Sequence, residues 1–293
     1  MQKYTKEELD AIHEVEKETL ADFAKVCQKY KLSYFLLAGA ALGAVRHQGP
    51  IPWDDDIDLG MLRKDYEKFL KICQQELGDK YIFNNYRTEK DYPLFVTGMD
   101  KKGTRFVREN YLKLQCTLGM GIDIFPFDNV PQDETKRRKQ IRQAWFWNKL
   151  YIVRNISKPQ VPGKGIVKQL ILLVCGIAHW IMAFLRIPRK RIINRYLKVA
   201  RRYDNENTGI VATFSDTYPE KTKIYLKDLF PLKQVPYMDI EVFIPNNYDK
   251  VLTDEYGDYM TIPPVEKRKS NRPYILQFSE EDGVSGIHKD NQV

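Results

Sequence analysis

Trp53-Asp54-Asp55-Asp56-Ile57-Asp58-Leu59 places four carboxylates in five positions and alternates the last two with apolar residues. Successive side chains of a strand point to opposite faces, so a strand over Asp56 to Gly60 sets Asp56 and Asp58 on one face. Ile57 and Leu59 then point the other way, into a core. Two carboxylates fixed on one face suit a hard divalent cation, and Mg²⁺ favours carboxylates combined with substrate phosphates. A third carboxylate, Asp123, lies in Gly121-Ile122-Asp123-Ile124-Phe125-Pro126, read as a second apolar strand ended by its proline. An aspartate between two isoleucines is costly if buried without a partner, and a cation shared with Asp56 and Asp58 accounts for it. The competing readings are a solvated acidic turn for the first stretch and a hydrogen-bonded structural aspartate for the second.

Upstream, Leu32 to Leu37 reads as a short strand. Gly39 opens a small-residue turn into a brief helix over Ala40 to Arg46, where backbone can approach a ligand closely and a helix N-terminus favours anions. His47 to Pro52 (HQGPIP) is a loop. Arg63 to Leu77 is an amphipathic helix with Tyr66, Phe69, Leu70 and Cys73 on its apolar face. Thr5 to Tyr30 is another, opened by a Thr5–Glu8 capping box. Beyond Met120 the expected order is the Asp123 strand, a helical stretch over 131–203, a strand from Asp239 to Ile244 and a helix from Asn246 to Tyr256. From Glu266 onward the chain is polar and expected to be loosely ordered. Strands alternate with helices and no internal repeat is evident, so the class is α/β or α+β. A glycine turn, a helix, a strand with alternating aspartates and a distant strand with one more is the layout of the nucleotidyltransferase (polymerase-β-like) superfamily, a mixed sheet flanked by helices. The expected organisation is a catalytic core at 1–130, a basic helical insert at 131–203 and a C-terminal part, 204–293, completing the core.

The charge distribution gives that insert its interest. The chain of 293 residues carries a net +8, yet Lys136 to Tyr203 holds eighteen Lys or Arg and no acid. Subtracting those eighteen leaves −10 for everything else, an acidic body with one basic segment. Within it, Leu170 to Leu185 (LILLVCGIAHWIMAFL) contains no Asp, Glu, Lys or Arg and is flanked by Lys164, Lys168, Arg186, Arg189, Lys190 and Arg191. One reading is a buried core helix. The other is an interfacial helix whose cations meet an anionic membrane surface; crossing needs about 20 apolar residues and is not expected. No nucleic-acid-binding motif accompanies the basic run, so nucleic acid is not an expected partner. Cys27, Cys73, Cys116 and Cys175 lie far apart, which suits a reducing compartment and gives no zinc spacing. The charged first twenty residues lack the apolar run of a signal peptide. The expected location is the cytoplasm, peripheral to the inner face of the cell membrane.

AGAALGAVRHQGPIPWDDDIDLGMLRKDYEKF, from Ala38 to Phe69, resembles the hallmark of the LicD family, relatives of fukutin and fukutin-related protein. Ala40 and Ala41 stand where the family's usual GGTLLGAVRH has threonine and leucine. GIDIFPFD at Gly121 to Asp128 and IPNNYDKVLTDEYGDYMTIPP from Ile244 to Pro264 are further matches. The resemblance implies metal-dependent transfer of phosphocholine from CDP-choline to a hydroxyl of a glycan or lipid-linked glycan, a teichoic acid or lipopolysaccharide precursor, with release of CMP. It implies Mg²⁺, with Mn²⁺ as an alternative, on Asp56, Asp58 and Asp123, and Asp123 as acceptor of the hydroxyl proton. Gly39, Ala40, Arg46, His47, Trp53 and Asp55 are the implied substrate-binding residues. Transfer of another phospho-alcohol (phosphoribitol, phosphoglycerol) or of a nucleotidyl group is the alternative within the class. A non-catalytic membrane-associated scaffold is the alternative outside it.

Overall fold

The computed structural model describes residues 4–161, 163–268, 270 and 272–279. The first helix, α1 (Lys6–Tyr30), starts on the expected capping box: the Glu8 amide donates to Thr5 Oγ1 at 3.1 Å and the Thr5 amide to Glu8 Oε2 at 2.9 Å. Then come β1 (Phe35–Leu36), α2 (Ala38–His47), β2 (Ile57–Leu62), α3 (Arg63–Leu77), β3 (Tyr81–Asn84), β4 (Thr97–Lys101), β5 (Arg105–Val107) and β6 (Gly121–Asn129). The basic stretch forms α4 (Glu134–Asn155), α5 (Gly165–Phe184) and α6 (Arg189–Ala200). The chain closes with β7 (Ile210–Ala212), β8 (Ile224–Tyr225), α7 (Leu226–Leu229), β9 (Lys233–Tyr237), β10 (Ile240–Ile244), α8 (Tyr248–Tyr256) and β11 (Ile275–Gln277).

The fold is α+β. A curled mixed sheet in the order β1-β2-β6-β4-β3, extended from β6 by β7 and β8, is flanked by helices. β2 and β6 run parallel and in register, which sets Asp58 directly opposite Asp123. The sheet, α1, α2 and α3 enclose the main core, where Leu20, Phe23, Ile57, Leu59, Phe69, Met99 and Ile124 are buried. Across β2 and β6 this core takes the alternate residues, so the aspartates between them emerge on the opposite face. The three basic helices do not stand apart. Ile141, Ala144, Tyr151, Ile192 and Tyr196 share a second core with Phe95 and with Ile210 and Ala212 of β7.

Four expectations need correction. β6 continues through Pro126 to Asn129, because between Ile124, its last partner to β4, and Asp128, its first to β7, that side of the ladder is open and tolerates a residue without an N–H. α2 begins at Ala38, one turn position before Gly39, with extended Leu37 as its cap. β2 begins at Ile57, so Asp56 belongs to the loop that enters it. The segment beyond Glu266 contains regular structure: β11 pairs with β5 and buries Leu276 against Ile12 and Met120. The residues after Ser279 lie outside those described.

Candidate active site

The acidic loop is held from beneath by α1. His13 Nε2 lies 2.9 Å from the Asp54 carbonyl oxygen, and Tyr4 Oη donates to Asp55 Oδ2 at 2.5 Å. The Asp54, Asp55 and Asp56 carboxylates can bring one oxygen each within 4.8 Å of one another. Of this trio only Asp56 belongs to the expected cation set. A Cβ on Gly39 would lie 2.5 Å from Asp54 Oδ2, so the bare glycine is what lets that carboxylate rest against the first turn of α2, where the helix dipole favours it.

Asp56, Asp58 and Asp123 meet in one cavity of about 920 Å³. Asp56 lines it with 46% of its side chain exposed. Asp58 also lines a second, smaller pocket of about 60 Å³ on the side of Ala38, Ala41 and Lys221. The carboxyls hold protons abnormally well. Burial, then the neighbouring Asp56, pushes Asp123 up to about 6, with Arg108 opposing. Burial, then Asp56 and Asp123, raises Asp58 well above the usual carboxylate range. Burial, then Asp56 and Asp55, lifts Asp54 to about 7. Each shift comes first from burial and then from repulsion between the carboxylates, both of which a bound cation would relieve.

The cavity contains groups that the sequence did not single out. Glu16 of α1 is 2% exposed, and burial followed by repulsion from Asp56 raises its pKa. Its signal was a carboxylate on the buried stripe of Ile12, Leu20 and Phe23. Asp100 of β4, raised to about 7 by burial, accepts hydrogen bonds from Asn84 Nδ2 and the Gly119 amide. Two cations oppose this acidity. The Arg108 guanidinium is 3.7 Å from Asp56 Oδ2, and Lys149 of α4, its pKa lowered by burial, lines the same cavity as Asp216. Lys149 was legible only as one member of a long basic run.

Of the remaining expected residues, Asp55 also lines the cavity. Among the described residues Gly39, Ala40, Arg46, His47 and Trp53 do not line the cavity. Ala40 is buried in the main core. Arg46 donates through Nη1 to the Tyr259 carbonyl at 2.7 Å and through Nε to His47 Nε2 at 3.0 Å. The Arg268 guanidinium stacks 4.4 Å over the Trp53 ring. These four side chains clamp the C-terminal segment to α2 and the acidic loop.

Residues 31–158 match the family model described as LicD/FKTN/FKRP, nucleotidyltransferase domain. The chain is similar to the lipopolysaccharide cholinephosphotransferase LicD of Haemophilus influenzae, 29% identical over 271 residues, which cover 87% of this chain and 93% of that protein. An uncharacterised protein of Rickettsia prowazekii is 29% identical over 102 residues, 25% of this chain and 38% of its own length. Residues 31–158 are thus similar to the nucleotidyltransferase domain of the LicD family, and Asp56, Asp58 and Asp123 lie within that match.

Proposed function

We propose that this protein transfers phosphocholine from CDP-choline to a hydroxyl of a cell-surface glycan precursor. The observation that carries the reading is the cavity itself, where three carboxylates from two parallel strands and their entry loop converge without enough positive charge to neutralise them. The donor set fits a hard cation: oxygen ligands only, on adjacent backbone positions, with raised proton affinity. Asp56, Asp58 and Asp123 would hold Mg²⁺, which supplies neutralisation of the donor pyrophosphate and of the departing CMP. Similarity to a lipopolysaccharide cholinephosphotransferase supports the choice of group and of a glycan acceptor.

The chain's own residues do the rest. Phosphoryl transfer depends mainly on positioning and electrostatics. Arg108 and Lys149, both lining the cavity, supply fixed positive charge to an anionic substrate. Asp123 takes the proton of the acceptor hydroxyl. The acceptor oxygen bonds to the phosphocholine phosphorus, and the bond from that phosphorus to the bridging oxygen of CMP breaks. Apolar Phe106, Met120 and Ile122 help to enclose the cavity and limit water, the competing acceptor.

The test is CMP release from CDP-choline with Mg²⁺ and a glycan acceptor, with CDP-ribitol and CDP-glycerol as comparators. Asp58→Asn is expected to lower the rate by roughly a hundredfold or more while the melting temperature stays level or rises, since it removes a repelled buried charge. Unchanged turnover in a folded Asp58→Asn variant would sink this reading.

A further inference from the structure

The α5 helix is twenty residues long, and by length and composition it is apolar enough to enter a membrane. A core helix of this composition would be buried on most sides, but here Met182 alone is buried. Its two long faces differ. Cys175, His179 and Met182 turn toward the protein, with His179 Nδ1 2.8 Å from the Val153 carbonyl oxygen. The opposite face presents Leu170, Leu173, Val174, Ile177, Trp180 and Phe184, the last 87% exposed. Water is a poor solvent for a continuous apolar face of that length.

The charge around this face identifies what covers it. Lys164 and Lys168 stand at one end of α5, and Arg186, Lys190 and Arg191 at the other. Among the described residues none of these five has a carboxylate partner, whereas Arg189 pairs with Asp91 at 2.7 Å and Arg201 with Asp204 at 2.6 Å. Apolar residues bracketed by unpaired cations complement a surface that is apolar inside and anionic at its rim. We propose that α5 is a docking helix that lies in the plane of an anionic bilayer, with its exposed face in the headgroup–acyl boundary. The geometry selects lying flat over crossing. The chain leaving α4 follows α5 along its length: Val153 meets His179, and Pro159 and Val161 share the cavity wall with Ile171 and Cys175. A helix backed by its own protein along one face has only the other to give to lipid.

Ile171 and Cys175 also line the cavity that holds Asp56, Asp58 and Asp123. Docking therefore sets the cavity beside the bilayer surface, where an acceptor carried by lipid would be found. That last consequence rests on the proposed function; the docking does not.

The experiment is co-sedimentation of the full chain with phosphatidylglycerol-containing vesicles, and with pure phosphatidylcholine vesicles, at physiological salt. Binding to the anionic vesicles is expected, with a blue shift of fluorescence that disappears in Trp180→Phe. Val174→Glu with Ile177→Glu should weaken binding by roughly tenfold or more without changing the melting temperature. Arg186→Glu with Lys190→Glu and Arg191→Glu should abolish the preference for anionic lipid. No binding by the folded wild type would overturn the proposal. So would light scattering that shows a dimer dissolved by the Val174/Ile177 substitutions without vesicle binding, because a second copy would then cover the face. Resistance to carbonate extraction would replace lying flat with crossing. Vesicle binding without affinity for Mg²⁺–CDP-choline would refute the functional reading and leave the docking intact.

Discussion

Asp58 and Asp123 face each other across a parallel strand pair, and on each the repulsion from Asp56 outweighs any neighbouring cation. Alternation made both residues legible, because Ile57, Leu59, Ile122 and Ile124 could only point to a core. Asp100 and Glu16 were not legible, since each reads locally as an ordinary member of its strand or helix and becomes a cavity wall only when the sheet curls. Ala38 shows a different kind of residue-scale effect. At φ +41° it occupies the left-handed region at the start of α2, against Asp58 and the smaller pocket. A Cβ is strained in that region by about 1–2 kcal/mol. Ala38→Gly is therefore expected to raise unfolding free energy by about 1 kcal/mol, after the entropic cost of glycine is subtracted. Urea denaturation checks this, and a destabilised Ala38→Gly would show that the strain is compensated by packing.

At the scale of elements, the register of β2 on β6 carries the site, and a buried ion pair anchors its end. Arg63, the first residue of α3, donates through Nε and Nη2 to the two oxygens of Asp128 near the end of β6, both at 2.7 Å. Both side chains are buried. Removing one partner leaves the other charge unpaired in the interior, so Asp128→Ala is expected to cost about 3–5 kcal/mol in chemical denaturation. A loss below about 1 kcal/mol would mean that water reaches Arg63. The α3 boundaries could be read from periodicity because that helix is amphipathic on its own. The Arg63–Asp128 pair could not, since its partners are distant in sequence and charged. α5 was legible as an apolar run with basic flanks, but only tertiary structure separates a core helix from an exposed one. Arg46, His47 and Trp53 belong to the recognisable motif, yet their contacts are with Tyr259, Arg268 and each other, so motif membership did not distinguish packing from lining.

The whole molecule is an acidic body, its carboxylates gathered at one cavity, with a basic helical flank. That gathering has a pH signature. Asp54 and Asp100 hold protons to about 7 and Asp123 to about 6, whereas unfolded aspartates release theirs near pH 4. Between those values the native state binds more protons than the unfolded chain, so stability falls as pH rises. Carboxylates with depressed pKa, such as Glu67 beside Arg87, lose their contribution only below the usual carboxylate range. His47, lowered first by burial, opposes the trend as a single group. Without metal, the melting temperature is expected to drop by about 5–10 °C between pH 5 and pH 8, and saturating Mg²⁺ should recover most of the loss at pH 8. Differential scanning calorimetry checks both, and a flat or rising profile would remove the argument for unmet charge. The most direct test of the central claim is calorimetric titration of CDP-choline, with CDP-ribitol and CDP-glycerol as comparators, each with and without Mg²⁺. The account predicts saturable, Mg²⁺-dependent binding of CDP-choline that is lost in Asp58→Asn. Folded wild-type protein that binds none of the three in the presence of Mg²⁺ would contradict it.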